Sequence, residues 1–322
     1  MKNSEANIKK EIVALRILGV FSLFPLVFSI WKDEYLFSFL LVLMLFIIAG
    51  HIKGKKNLQV NLVHFKKFRF DEISGEFEVA KPVGSFGGDK KHGVLLLHGF
   101  SASPQEYRFI IPLLIQKNIP FYAPRLTGFG IANVVTLQSV KAVQWLRDSL
   151  DAYDLLKQQV DEISIVGHSM GGLLAALVSQ QREVKELVLS APYLVENENH
   201  SFRKKLLKTP GILLLMSLFL PVVKKSSIEQ NSDRFVYHAV PLHSIKALWD
   251  LHGLLVYEKI KKEIFLLSGS LDNTTNNRMN TKILSAKNIA FKKYEFEKSG
   301  HNIFEDVERE EVAQKVIEIL TE

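Results

Sequence analysis

From Gly93 to the end of the chain, short runs of apolar residues alternate with longer stretches that have helical spacing. Apolar runs without polar alternation are typical of strands buried on both faces, and intervening helices connect such strands in parallel. The predicted strands cover residues 93–98, 119–123, 163–167, 184–191, 263–268 and 289–296, and the predicted helices cover 104–117, 139–160, 171–181, 275–286 and 308–320. The pattern predicts an α/β fold with a mostly parallel sheet and helices on both of its faces.

Three segments depart from this alternation. Residues 57–82 mix apolar and basic side chains around a Ser-Gly pair, which predicts a short hairpin, and residues 83–91 contain three glycines, which predicts a loop. Residues 192–257 are long, irregular and mostly helical in pattern. We expect this last segment to be a cap inserted over the ends of the strands.

The first 56 residues contain two apolar runs, at about 12–31 and 35–52. A helix needs about 20 apolar residues to cross the hydrocarbon of a bilayer. Lysines flank the outer ends of the pair at Lys2, Lys9, Lys10, Lys53, Lys55 and Lys56. The positive-inside rule then places both ends in the cytoplasm. Residues 1–56 therefore predict a transmembrane helical hairpin that anchors a cytoplasmic domain, 57–322, to a membrane, which in a bacterium would be the inner membrane. A pair of core or interfacial helices is the alternative.

Composition excludes several classes of protein. The chain has no cysteine, so a disulfide scaffold, a thiolate nucleophile and a cysteine-ligated metal are excluded. The net charge is 41 − 34 = +7, and residues 1–56 contribute 8 − 4 = +4 of it, so a nucleic-acid-binding face is not expected. The chain contains no H-E-x-x-H, P-loop or G-x-G-x-x-G motif, and no metal or nucleotide cofactor is predicted.

A possible nucleophile lies in the sequence Gly167-His-Ser-Met-Gly171, which matches G-x-S-x-G. The motif follows a predicted strand and opens a predicted helix, which is the context that it requires. In such a turn the serine oxygen projects above the sheet, beside a helix N-terminus whose free N–H groups favour negative charge. This context predicts that Ser169 is a catalytic nucleophile.

A serine hydroxyl needs a base to remove its proton, and the base needs a carboxylate to orient it. His301 lies in the loop between the last strand and the last helix, and Asp272 lies just beyond the strand that ends near Leu267. The order Ser169, Asp272, His301 is typical of one class of serine hydrolase. Asp306 is an alternative acid, and Asp272 could instead cap the helix that follows it.

An oxyanion formed at Ser169 would need backbone N–H donors. The loop His98-Gly99-Phe100 follows the first strong strand, and a donor from this loop commonly acts together with the residue after the nucleophile. We assign these two donors to Phe100 and Met170. The ring of His98 is expected to brace the loop.

From about Gly93 to Leu320 the chain resembles the α/β-hydrolase superfamily, and within it the bacterial carboxylesterases and monoacylglycerol lipases with a small cap. The stretches that carry the resemblance are 94–104 (VLLLHGFSASP), 123–130 (APRLTGFG), 165–172 (IVGHSMGG) and 299–301 (SGH). The resemblance implies ester hydrolysis through a serine acyl-enzyme, with Ser169, Asp272 and His301 as the triad. A thioesterase, an amidase, a peptidase and a non-catalytic membrane-tethered binding protein remain the alternatives.

The predicted cap contains an uncharged, very apolar stretch at residues 209–223, too short to span a bilayer. The cations around it are Arg203, Lys204, Lys205, Lys208, Lys224 and Lys225. This pattern suits an anionic membrane surface, a cap whose inner wall contacts an acyl chain, or an ordinary cap helix buried on the core. Together with the predicted anchor, it favours acyl lipids such as monoacylglycerol or lysophospholipid as substrates.

Overall fold

A computed structural model describes residues 34–195, 209, 211–224 and 233–322. The helices of these residues are α1 (Glu34–Phe65), α2 (Ile111–Gln116), α3 (Ala142–Lys157), α4 (Met170–Ser179), α5 (Ile212–Phe219), α6 (Leu242–His252), α7 (Asn277–Ala286) and α8 (Arg309–Thr321). The strands are β1 (Val83–Ser85), β2 (His92–Leu97), β3 (Phe121–Ala123), β4 (Glu162–His168), β5 (Leu187–Ser190), β6 (Val222–Lys224), β7 (Ala239–Pro241), β8 (Ile264–Gly269) and β9 (Phe291–Phe296).

Seven strands form one sheet in the order β1-β3-β2-β4-β5-β8-β9. Every neighbouring pair is parallel except β1 and β3, which confirms the predicted parallel sheet. The predicted loop at 83–91 is wrong at its start, because residues 83–85 form the antiparallel strand β1 at the edge of the sheet. These residues form a strand because their backbone hydrogen-bonds to β3. The glycine-containing sequence alone does not reveal this pairing.

Two apolar clusters cover the opposite faces of the sheet. One contains Leu95 and Leu97 of β2, packed with Trp145 of α3. The other contains Val94 and Leu96 of the same strand. Because alternate residues of β2 enter different clusters, both faces of the strand are buried, as its continuous apolar run predicts.

The helix α1 extends beyond the predicted second apolar run. It spans 32 residues, and the stretch Leu36–Phe65 is long and apolar enough to cross a membrane by length and composition. The predicted first span, at about 12–31, lies outside the described residues. Of the predicted hairpin, only the second span falls within the described part of the chain. The predicted hairpin at 57–82 is wrong over residues 57–65, which are the last turns of α1. An isolated antiparallel bridge between Phe70 and Phe77 encloses the predicted Ser-Gly turn, so the hairpin is confined to residues 70–77.

The last turns of α1 are held by the segment that leads into β7. The side chain of Asn61 is fully buried, accepts hydrogen bonds from the N–H groups of His238 and Ala239, and donates one to the carbonyl of Ala239. Nearby, the Nε2 atom of His64 lies 2.8 Å from the carbonyl of Arg234. These contacts stabilise the helix beyond Lys55 and Lys56, because they bury one narrow face of its last turns. The other faces of these turns stay exposed.

Candidate active site

Ser169 lies on the sharp turn between β4 and α4, with φ of 54° and ψ of −111°, a conformation that is strained for a residue with a side chain. Glycines make this turn possible. A methyl group on Gly171 would lie 1.7 Å from the carbonyl oxygen of Leu97, and one on Gly167 would lie 2.2 Å from the carbonyl oxygen of Gly171. The backbone of the turn therefore packs too closely against β2 and α4 for any larger residue.

The structure brings Ser169, His301 and Asp272 together in one chain of hydrogen bonds. The Nε2 atom of His301 lies 3.0 Å from the Oγ atom of Ser169. The Nδ1 atom of the same ring lies 3.0 Å from Oδ2 of Asp272. The three residues come from the loops after β4, β8 and β9, which all end at the same edge of the parallel sheet.

The carboxylate of Asp272 is completely buried and fully hydrogen-bonded. Its Oδ1 atom accepts bonds from the N–H groups of Thr274 and Thr275, and its Oδ2 atom accepts them from the Thr275 hydroxyl and the Asn277 amide. Burial alone would raise the pKa of Asp272, but hydrogen bonds from His301 and Thr275 and the nearby imidazole hold that pKa well below its usual range. The group is therefore a charged acceptor for the His301 ring.

The alternative acid, Asp306, and the alternative role of Asp272 as a helix cap both fail on geometry. Asp272 does not cap α7, because Asn276 occupies the N-cap and accepts the N–H of Met279. Asp306 binds the backbone N–H groups of Gly300 and Val307 rather than the His301 ring. Asp306 therefore fixes the loop that carries the histidine, whereas Asp272 orients its ring.

The loop proposed to carry an oxyanion donor passes directly beside Ser169. A methyl group on Gly99 would lie 3.2 Å from Cδ2 of His168 and 3.5 Å from Cβ of Ser169. The predicted donor Phe100 follows Gly99, and the other predicted donor, Met170, is the buried first residue of α4. The structure thus places Met170 directly after the serine and Phe100 directly after the glycine that approaches it, and their role as donors stays a prediction.

His98 braces this loop from beneath, as expected. Its Nε2 atom accepts the N–H of Leu126, so the proton lies on Nδ1, which donates to the carbonyl of Gly99 at 2.9 Å. The ring is completely buried, and burial lowers the pKa of His98. The uncharged ring is the form that can make both hydrogen bonds.

A buried charge cluster that the sequence analysis did not predict supports the same loop. Glu106 accepts the backbone N–H of Gly99 at 2.8 Å and pairs with Arg234 at 2.6 Å. Arg234 also pairs with Glu305 through its Nε atom, and Glu305 lies 3.4 Å from Arg108. Burial raises the pKa of Glu305 to about 7, although the positive charge of Arg234 acts to lower it. The cluster ties Arg234, which lies in the later part of the predicted cap, to the loop beside Ser169.

His168, next to the serine, is buried and hydrogen-bonds Ser190 through Nδ1 at 3.0 Å. Its ring also packs near the ring of His301, with centroids 5.0 Å apart. Burial lowers the pKa of His168 to about 4. An uncharged ring here does not repel a positive charge on the His301 ring.

A surface cavity of about 500 Å³ lies at the other edge of the sheet, lined in part by Glu162, Ile163 and Lys185. Glu162 begins β4, whereas Ser169 follows its end, so this cavity is remote from the hydrogen-bonded serine. Among the residues that the structure describes, no group of three or more His, Asp or Glu side chains could hold a metal ion.

Comparison with known proteins adds to this geometry. A model of the alpha/beta hydrolase family matches residues 94–315. The chain is 26% identical over 245 residues to a carboxylesterase of Bacillus subtilis (strain 168), across 74% of this chain and 96% of that protein. A solved structure from work on two metagenome-derived lipolytic enzymes has a TM-score of 0.66 at 20% identity, covering 76% of this chain and 98% of that one. The monoacylglycerol lipase of Paleococcus ferrophilus has a TM-score of 0.54 at 20% identity, covering 74% of this chain and 98% of that one.

Proposed function

Because the chain belongs to the alpha/beta hydrolase family, we propose that it is a serine hydrolase that cleaves carboxylic esters. The main support for this proposal is the pair of hydrogen bonds made by the His301 ring. Its Nε2 atom lies 3.0 Å from Oγ of Ser169, and its Nδ1 atom lies 3.0 Å from Oδ2 of Asp272. The similarity to a carboxylesterase over most of both chains supports an ester as the substrate. The fold by itself does not define a substrate, so the site residues are the main argument.

In the proposed mechanism, Ser169 attacks the ester carbonyl while His301 removes its proton. Asp272 stabilises the imidazolium that forms. The N–H groups of Phe100 and Met170 stabilise the oxyanion of the tetrahedral intermediate. His301 then donates its proton to the leaving alcohol, and water releases the acid from the acyl-enzyme by the same steps in reverse order.

We further propose that the enzyme is anchored to a membrane and acts on acyl lipids such as monoacylglycerol or lysophospholipid. The exposed apolar side chains of α1 support the anchor, since Phe39 is 62% exposed and Phe46 is 64% exposed. The lysines that follow Ile52 support a cytoplasmic position for the hydrolase domain. An enzyme held at a bilayer meets amphiphilic esters at high local concentration, which favours such substrates.

Thioesters, amides and peptides are alternative substrates for the same triad. A panel of p-nitrophenyl esters from acetyl to palmitoyl, with matched acyl thioesters and anilides, tests the proposal on the detergent-solubilised full chain. We expect octanoyl or longer esters to have the highest kcat/KM. Exclusive hydrolysis of the acetyl ester would contradict the lipid substrate, and hydrolysis of thioesters or anilides alone would contradict the ester.

A further inference from the structure

The helix α5 of the cap has no buried residue among its eight, although nearly all of them are apolar. Leu214 is 66% exposed, Leu215 is 52% exposed and Leu218 is 37% exposed. An ordinary cap helix would bury this face on the core, and an inner wall for an acyl chain would shield it from solvent. Contiguous exposed leucines instead mark a contact surface.

We propose that α5 lies in the hydrocarbon region of the bilayer beside α1, so that its exposed face is covered by lipid acyl chains. This inference rests on the proposed membrane anchoring of α1. The cap then forms a second membrane contact of the enzyme, formed by residues distant in sequence from the anchor.

The end of α5 packs closely against the apolar part of α1. A methyl group on Gly50 would lie 1.9 Å from the carbonyl oxygen of Phe219, and one on Gly54 would lie 2.9 Å from Cγ of Pro221. Two glycines four residues apart are the arrangement that lets helices in membranes approach closely. If residues 36–52 of α1 are in the bilayer, the C-terminal end of α5 lies at the same depth as Gly50.

The helix α5 also runs along α1. An eight-residue helix is about 12 Å long, the rise of about eight residues of α1. On the face of α1 that carries Gly50, Ile47 is buried, and Leu43, Met44 and Leu40 are partly buried, whereas Leu45 and Phe46 are exposed. This stripe of reduced exposure indicates that α5 continues along α1 away from the lysines, towards the centre of the proposed span.

The polarity of the stretch also suits lipid. Residues 209–223 contain no charged side chain, and the flanking cations begin outside them, at Lys208 and Lys224. The single polar group of α5, the Ser217 hydroxyl, donates to the carbonyl of Leu214 at 2.7 Å. Hydrocarbon cannot hydrogen-bond a polar group, so such internal satisfaction is required of a helix in lipid.

Exposed lysines mark where this apolar surface ends. Lys53 and Lys55 of α1 flank Gly54, which packs on Pro221, and Lys224 is exposed at the end of β6. Lysines of both segments therefore lie near one level, where their ammonium groups could reach anionic headgroups. This arrangement identifies the partner as an anionic bilayer rather than a second protein surface.

The cysteine-free chain allows a direct test with single cysteines in the full-length protein. Leu214→Cys and Leu215→Cys probe α5, Phe46→Cys probes α1, and Ile115→Cys is the control. Ile115 is a 60% exposed apolar residue of α2, which packs on the opposite face of the sheet from α1. Each cysteine is labelled with an environment-sensitive fluorophore, and the protein is reconstituted in vesicles of phosphatidylglycerol and phosphatidylethanolamine. Retained ester hydrolysis shows that each variant is folded.

We expect loss of fluorescence at positions 214, 215 and 46 when the lipids carry spin labels on their acyl chains, and little loss with aqueous iodide. Position 115 should behave in the opposite way. Quenching of 214 and 215 by iodide, with 46 still protected in lipid, would overturn the inference and leave the anchor intact. Quenching of 46 by iodide as well would overturn the anchor itself. Protection from both quenchers, with crosslinking between two copies, would show that a second protomer covers α5 instead.

Discussion

The carboxylate of Glu106 accepts a hydrogen bond from the N–H of Gly99 at 2.8 Å, in the loop that passes beside Ser169. Burial of Glu106 opposes its ionisation, but the Arg234 charge and the Gly99 N–H keep its pKa below the usual value. The bond fixes the orientation of the peptide unit next to Phe100, the proposed oxyanion donor. Glu106 therefore acts as a positioning residue.

Glu106→Leu should lower kcat with a smaller change in KM, by up to about 100-fold, because misplacement of a catalytic group by about 1 Å has that effect. Glu305→Leu is the matched control, since it also removes a carboxylate from Arg234 but leaves the Gly99 bond in place. Both variants should lose about 3 kcal/mol of stability, as expected when a buried charge loses a partner. Steady-state kinetics and thermal unfolding check this pair, and an equal loss of kcat in both variants would contradict the positioning role.

Asp272→Asn should lower kcat by about ten-thousand-fold, because a neutral amide neither selects the correct tautomer of the histidine nor stabilises its cation. The Asn side chain keeps the size of the carboxylate, so KM should change little. Asp306→Asn is the control for the alternative acid, because Asp306 contacts only backbone N–H groups near His301. Ester hydrolysis by both variants separates the two acids, and a larger loss for Asp306→Asn would reassign the triad.

Acid should destabilise the fold partly through His92. Burial lowers the pKa of His92 to about 4, while the ring lies 2.8 Å from the Ser164 hydroxyl. Its pKa in the unfolded chain is about 6.5, so as pH falls the unfolded state binds the proton first. The stabilisation is complete above pH 6.5 and is lost as pH falls towards 4.

The variant His92→Gln can keep the hydrogen bond to Ser164 but lacks the titrating ring. Thermal unfolding of wild type and variant between pH 7.5 and 4 checks the effect of the ring. We expect the unfolding temperature of the variant to fall less steeply between pH 6.5 and 4. Parallel curves for the two proteins would show that His92 does not contribute to acid destabilisation.

The junction between α1 and the hydrolase domain depends on Asn61. Asn61→Ala leaves the N–H groups of His238 and Ala239 without their buried acceptor, at a cost of about 1 to 3 kcal/mol for each unsatisfied group. Asn57→Ala is the control, because its half-buried amide makes one long bond of 3.4 Å to the carbonyl of Val222. Limited proteolysis should cleave the Asn61 variant faster near residues 233–241, and equal cleavage of both variants would contradict this role.

The sequence predicted the sheet well, because its strands are short apolar runs bounded by helices. The turn at Ser169 was also predictable, since the glycines of the motif follow from close backbone packing. The last turns of α1 were missed because only a narrow face, with Leu58, Asn61 and Phe65, is buried between exposed lysines.

The pairing of Glu106 with Arg234 could not be read from local patterns, because the two residues are 128 positions apart. Neither residue has a motif around it, and a charged side chain on a helix or loop is ordinarily exposed to solvent. Only the three-dimensional approach of the later part of the cap to the loop beside Ser169 reveals that these charges are buried together. The same holds for the contact of Gly50 with Phe219, which depends on the path of the cap.

In the proposed mechanism the hydroxyl of Ser169 is the nucleophile, activated by His301. Labelling with a fluorophosphonate probe tests this role directly, on the full chain in membranes. The proteins compared are wild type, Ser169→Ala and Ser139→Ala, the last changing an exposed serine outside the triad. Wild type and Ser139→Ala should form the covalent adduct, and Ser169→Ala should form none. Adduct formation by Ser169→Ala at the wild-type level, or its absence from a wild-type protein that hydrolyses esters, would contradict the account.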